Sequence, residues 1–395
     1  MISVDEARAL IAQAFDPLAA ERVSLDGAAG RVLAQPAIAQ MTQPPFDASA
    51  MDGYAVRAAD ASEGARLSVI GTSAAGERFA GAVSGGEAVR IFTGAPVPDG
   101  ADAVIVQENI ERAGETITVS AGVAQGANIR PAGNDFTNGD ELLAAGVALT
   151  PPALALAAAA SLTHLSVRRR PRIALIANGD ELVMPGEERG PDAIICSAPF
   201  ALAPMIEAWG GAPEFLGIAP DDPAALRAFV ERAAGFDLIV PIGGASVGDR
   251  DHMRPVFSET GFEMVFEKVA VRPGKPTWFA RAGARAAIGL PGNPASAMAT
   301  AILFVRPAID AMLGVPASTR LNRGRLSESV SANGPRETYL RGRVEIDSDG
   351  EARLTPNARQ DSSLHSVFAA SNALIRRAAN APALDRGGAV EYLDI

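Results

Sequence analysis

Ser3 and Glu6 open a segment in which Leu10, Ile11 and Phe15 share one face, so the spacing predicts a helix that starts with a capping box. Residues 1–35 read as helical, then extended. From about 36 to 135 the apolar runs shorten and glycines multiply: RLSVI, AVRIFTG, AVIVQENI and TITVS predict a small β lobe. Residues 152–162, PALALAAAASL, predict an alanine-rich helix with proline at its start. The arginine cluster RRRPR at 168–172 reads as a solvated boundary in preference to a ligand site.

At 172 the pattern changes. RIALIAN, EFLGIAP, FDLIVPIGG and AAIGLPGNP are buried-strand runs, separated by helical stretches such as SAPFALAPMIEAWGG and DPAALRAFVERAAG. PASAMATAILFVRPAIDAML follows as a long helix. Strands alternating with helices predict a parallel, doubly wound α/β sheet. From about 317 the helical signal fades, and ETYLRGRVEID, EARLTPNA, ALIRRA and AVEYLDI predict a closing β domain.

Composition narrows the function classes. A chain of 395 residues with 48% apolar residues fits two to four globular domains, and no apolar run approaches the ~18 residues of a membrane span. The N-terminus has early acids and no basic stretch, so it does not read as a signal peptide. The single cysteine, Cys196, leaves no disulfide within the chain, and a cytoplasmic location is the expectation. A net charge of −11 argues against a sequence-independent grip on nucleic acid, yet a local basic pocket can still hold a small anion. The histidines, His164, His252 and His365, are too far apart in sequence to suggest a zinc site or a serine–histidine triad. Of 35 basic residues only Lys268 and Lys275 are lysine, and they lie within eight residues of each other. A compact ammonium suits a phosphate or oxyanion, so this pairing hints at a site.

Three polar loops follow three of the buried strands. They are Asn178-Gly179-Asp180-Glu181, Gly243-Gly244-Ala245-Ser246-Val247-Gly248-Asp249, and Leu290-Pro291-Gly292-Asn293-Pro294. In open α/β sheets ligands bind beyond the carboxyl ends of the strands, where all three would lie. The glycines of the second loop permit close backbone approach to an anion, and the third opens a helix whose first N–H groups are unpaired. Asp180, Glu181, Asp249 and Asp251 share this rim, and carboxylates beside an anion site suggest Mg²⁺. Arg272 and Lys275 of VRPGKP stand nearby in the predicted arrangement.

The chain resembles the molybdopterin molybdenumtransferases, the family of bacterial MoeA and the gephyrin E domain. The resemblance spans essentially its full length. It is carried by FDASAMDGYAV (46–56), IFTGAPVPDGADAVIVQE (91–108), IRPAGNDF (129–136), NGDEL (178–182), GGASVGDRD (243–251), VRPGKP (271–276) and LPGNPASA (290–297). It implies four parts: a helical, dimerisation domain from 1–35 and 136–170, an inserted β lobe at 36–135, a molybdopterin-binding α/β domain at 171–316, and a C-terminal β-barrel-like domain at 317–395. It also implies insertion of molybdate into adenylylated molybdopterin with Mg²⁺-dependent release of AMP. The homodimer it implies shares its active site between subunits. A molybdopterin adenylyltransferase and acceptor molybdoenzymes are the further partners; neither nucleic acid nor a membrane is expected.

By position, the resemblance implies functional roles for Asp52, Thr93 and Asp135 in the N-terminal half and for Glu181, Asp222 and Asp251 in the α/β domain, with Asp222 and Asp251 as the metal pair. It implies substrate contacts from Gly243, Gly244, Ser246, Gly248, Lys268, Arg272, Lys275, Pro291, Gly292, Asn293 and Pro294, and from Arg341 and Ser362 in the last domain. Asp47 reads as a turn or cap residue. The sequence departs from the family pattern at Asn178, usually threonine, at Arg272, where lysine is common, and at ICSA (195–198), which lacks the usual acid and asparagine. Molybdopterin adenylylation and a non-catalytic pterin-binding scaffold are the competing functions. The intact N-terminal half and acids favour insertion.

Overall fold

The alternating stretch forms one six-stranded sheet in the computed structural model, which describes residues 1–244, 252–316 and 321–395. From edge to edge the order is Ala212–Ala219, Arg172–Asn178, Leu238–Ile242, Arg285–Gly289, Trp278–Ala282, Glu263–Phe266. The first four strands run parallel and the last two join antiparallel. Alternate side chains serve opposite faces, as the pleat requires. Ile173, Leu175, Leu238 and Val240 face the helices Ala198–Ala208 and Pro294–Thr300, whereas Ala174, Ile176 and Ile239 pack with Leu226, Val230 and Phe257. Both faces are covered, which explains why these strands read as unbroken apolar runs.

The long helix runs Pro294–Thr300, a π turn Ala301–Val305, then Arg306–Leu313. Its 20 residues are long and apolar enough to cross a membrane, against the expectation that no run approaches that length, but 72% of the apolar window is buried. It is the central helix of the α/β core. Gly314 ends it in the left-handed region at φ 69°.

The first helix, Val4–Ala12, has the expected cap, with Ser3 Oγ accepting from the Glu6 amide at 3.1 Å. It ends before Phe15, which packs as a loop residue against Phe279 at 6.4 Å between ring centroids. Val4, Ala7 and Ile11 enter the α/β core, and the Ile2 amide donates to the Lys268 carbonyl at 3.2 Å. By contrast Ala20–Ser24 pairs with His164–Arg168, beside a separate cluster that includes the helix Pro151–Ala159.

The β lobe is a six-stranded sheet in the order Ala103–Val106, Gly53–Val56, Glu87–Ile91, Arg66–Ser73, Thr116–Val119, Ile110–Ala113. At the other end, Glu337–Ile346, Ala352–Pro356, Asn322–Leu326, Ala389–Asp394 and Ala373–Arg377 close into a five-stranded barrel, the last pairing back on the first. Val271–Arg272 adds to its edge and ties the VRPGKP segment to the barrel.

The arginine cluster 168–172 is engaged, not merely solvated. Arg169 makes two 2.7 Å hydrogen bonds to Asp237, Arg168 donates to the Leu18 carbonyl at 2.8 Å, and Arg172 lies 4.5 Å over the Phe236 ring. These contacts secure the amino ends of the strands, opposite the rim.

Candidate functional site

The four parallel strands deliver four polar loops to one end of the sheet. Asn178 ends the first strand and is 6% exposed. Its amide nitrogen donates to the Ala219 carbonyl at 3.1 Å and to Asp221 Oδ1 at 2.8 Å, so it joins two neighbouring strand ends. Asp180 Oδ1 accepts from the Asp221 amide at 3.0 Å and reinforces that joint. The asparagine found in place of threonine thus has full use of its donor.

Gly243 and Gly244 follow at φ 95° and 56°. A Cβ on Gly243 would lie 2.6 Å from the Asn178 carbonyl oxygen, and one on Gly244 would lie 2.4 Å from Asn178 Oδ1, so both conformation and space require glycine. Gly292 approaches from the next loop: a Cβ there would meet Gly243 Cα at 3.4 Å. Ser246, Gly248 and Asp251 lie outside the described residues.

These loops border a cleft of about 820 Å³. Of the positions singled out in the sequence, Glu181, Gly243, Gly244, Lys268, Lys275, Pro291, Gly292, Asn293 and Pro294 line it. Both lysines of the chain therefore reach one cavity. Neither has an ion-pair partner among the described residues. In a protein of net charge −11 the cleft gathers two ammonium groups that form no ion pair among the described residues, which favours an anion.

The barrel supplies the remaining wall. Asn293 Nδ2 donates to Ser362 Oγ at 2.9 Å, and Ser197 Oγ is hydrogen-bonded with His365 Nε2 at 3.2 Å. Arg341 is 1% exposed and donates to the Asp361 carbonyl at 3.1 Å. Burial pushes its guanidinium down, the nearby Asp361 carboxylate opposes that, and the charge of Arg272 adds to the lowering. Arg272, Arg341 and Ser362 adjoin the cleft without lining it.

The sequence marked Leu182 within NGDEL and Cys196 and Ser197 within ICSA, but it did not single out Ile194, Ser363 or His365 as wall residues. Leu182, Ile194, Cys196, Ser197, Ser363 and His365 all border the cavity. The Ser197–His365 bond links positions 168 residues apart, and no local pattern announces it. Cys196 is buried there, and desolvation raises its thiol pKa, so it acts as a small apolar wall residue.

The acids divide. Asp222 caps the helix Pro223–Arg232, with Oδ1 accepting from the Ala225 amide at 2.8 Å. Its Oδ2 has no protein partner among the described residues, which also hold no cluster of three or more metal-ligating side chains. Glu181 on the cleft wall and Asp222 at the rim offer hard oxygen donors. Magnesium typically takes one or two protein carboxylates and completes its shell with substrate phosphate and water, so this donor set fits it.

In the lobe, Asp52 Oδ1 accepts from the Thr93 amide at 2.8 Å and the Thr93 hydroxyl at 2.7 Å. Those two bonds hold the Asp52 carboxyl below the usual range, with the Arg90 charge adding a smaller push. Gly53 follows because a Cβ would lie 1.8 Å from the Ile105 carbonyl oxygen of the adjoining strand. Asp47 accepts from the Ala132 amide at 2.8 Å and ties two loops together. Asp135 is exposed, and its amide donates to the Gln43 carbonyl at 3.0 Å. Asp52, Thr93 and Asp135 do not line the cleft of their own chain.

Residues 2–161 match the MoeA N-terminal region (domain I and II), residues 174–311 a probable molybdopterin binding domain, and residues 323–395 the MoeA C-terminal region (domain IV). A molybdopterin molybdenumtransferase of Haemophilus influenzae is 34% identical, covering 95% of this chain and 94% of its own. One of Bacillus subtilis is 32% identical, covering 99% and 94%. The crystal structure of a molybdopterin biosynthesis MoeA protein from Pyrococcus horikoshii superposes with a TM-score of 0.83 at 32% identity, covering 99% of this chain and 98% of that one.

Proposed function

The chain belongs to the molybdopterin molybdenumtransferase family, and we propose from that membership and from the cleft how it works. It is a transferase of molybdenum cofactor biosynthesis that processes molybdopterin. In our reading the cleft takes adenylylated molybdopterin and molybdate, and AMP leaves as molybdenum is transferred to the dithiolene.

The observation that carries this reading is that both lysines of the chain, Lys268 and Lys275, line one cavity bordered by Gly243, Gly244 and the Asn293–Pro294 helix start, with no ion-pair partner among the described residues. Tetrahedral molybdate and the pterin phosphate are anions. Lysine supplies point charge without imposing a fixed fork geometry. The glycines bring backbone close to a bound oxyanion, and the apolar wall at Leu182 and Ile194 suits the flat pterin. Asn293 and Ser362 keep the barrel against the mouth of the cleft.

Asp222 would hold Mg²⁺ together with Asp251, which lies outside the described residues, and Glu181 on the cleft wall is a further carboxylate that could serve it. The ion would neutralise charge on the cleaved phosphate. Asp52 and Thr93 would act in trans, the lobe of one subunit completing the cleft of the other in a homodimer. Their absence from their own chain's cleft supports this arrangement.

The test is AMP measured after incubation with adenylylated molybdopterin, molybdate and Mg²⁺. Molybdate-dependent release is expected. Release of AMP that ignores molybdate would overturn the insertion reading.

A further inference from the structure

A second cationic cavity lies at one end of the C-terminal barrel, apart from the cleft. It measures about 400 Å³, with Arg323, Arg376, Arg377 and Glu391 around a floor that includes Ala389 and Val390. Arg323 and Arg376 flank Glu391 on neighbouring strands.

The three arginines are not equivalent. Arg376 engages the nearby carboxylates, bonding Glu337 at 2.9 and 3.1 Å and Glu391 at 2.9 Å. Arg323 is exposed and has no ion-pair partner among the described residues. Arg377 is the anomaly. It is 7% exposed, and among the described residues its Nη2 donates to the Pro382 carbonyl while its Nε has no hydrogen-bond partner.

A guanidinium cannot shed its proton in a protein, so Arg377 remains a cation where it is buried. A buried charge is costly unless paired, and an unmade charged hydrogen bond adds to that cost. Burial pushes the Arg377 guanidinium pKa down. The barrel thus holds a buried cation beside an open cavity, with a second arginine, Arg323, that forms no ion pair among the described residues.

We propose that this cavity binds a phosphate-class tetrahedral oxyanion, free or as the head of a phosphomonoester, between Arg377 and Arg323. Two guanidinium groups can chelate such a head, and the apolar floor accommodates a small organic body behind it. The site is independent of the cleft, since the two share no lining residue.

The test uses the full-length protein carrying Lys268→Ala and Lys275→Ala, which disables the cleft. Calorimetric titration with inorganic phosphate at constant ionic strength should show saturable binding. Adding Arg323→Ala should weaken it about tenfold, the worth of one charge-assisted contact. Arg377→Met should abolish it where that variant folds; the exposed Arg323 keeps the test decisive where it does not. Parallel titrations with AMP and molybdate separate the sources, because a phosphomonoester ligand predicts tighter AMP and a free oxyanion predicts parity. Loss of phosphate binding with the lysines alone, or indifference to Arg323→Ala, would overturn the proposal.

Discussion

The Asp52 turn of the β lobe and the rim of the α/β cleft are both short polar segments carrying glycine, yet they are finished in opposite ways. At the turn the carboxylate is satisfied within the lobe: Thr93 donates twice to one oxygen, and Gly53 lets three strands close behind it. At the rim the groups that join the strand ends are satisfied, whereas the two lysines have no ion-pair partner among the described residues. Asn178 and Asp180 cross-link the strand ends, while Lys268 and Lys275 line the cavity. Groups that complete each other hold a shape, and groups left uncompensated await a ligand.

That contrast predicts where substitutions act. The largest effect on stability belongs to the turn. Gly53→Ala forces backbone apart and should cost about 3 kcal/mol by denaturant unfolding, the upper range of overpacking. A loss below about 1 kcal/mol would show that the lobe yields. The cleft should behave in reverse. Lys268→Ala with Lys275→Ala should lower molybdate-dependent AMP release about 100-fold, the scale of lost electrostatic stabilisation, with stability changed by less than about 0.5 kcal/mol. Equal losses in folding and activity would break the comparison.

Smaller effects sharpen it. Asn178→Ala should cost about 1–2 kcal/mol, because the buried acceptors it serves lose their donor. Asn178→Asp, which keeps the size but not the donor, should not recover that loss. The smallest effect is a pH signature at Asp52. Its folded-state pKa is depressed below the ordinary 3.8, so its stabilising contribution is present above that value and fades as pH falls through the lower folded value. Full exposure keeps the contribution small, and Asp52→Asn should flatten the acid limb of unfolding below pH 4 while leaving neutral stability nearly unchanged. Mixed dimers of Asp52→Asn and Lys275→Ala chains should regain AMP release if the lobe serves the partner's cleft. No recovery would place the site within one chain.

Much of the fold was legible because its signals are local. The apolar run 173–177, too short for an ordinary helix and followed by a polar loop, reads as a strand covered on both faces, and Thr150-Pro151 opens its helix as proline rules require. The start of the chain was less legible. Phe15 keeps the helical spacing, but the helix stops at Ala12 and tertiary packing against Phe279 holds the ring instead. Residues 294–313 carry the hydropathy of a membrane span, and only their burial in the sheet identifies a core helix.

The site shows the same division. The sequence by itself determined the donors: the glycine loops, the two lysines, the Asp52-Gly53 pair and the helix opened by Pro294. Each is a matter of residue type and near neighbours. Tertiary structure alone decided which of them meet. It brought both lysines to one cavity, excluded Asp52 and Thr93 from it, and closed its mouth with Ser197–His365 and Asn293–Ser362. The physical reason is range. Capping, turns and periodicity act over a few residues, whereas charge compensation and cavity shape depend on side chains that only the packed chain makes neighbours.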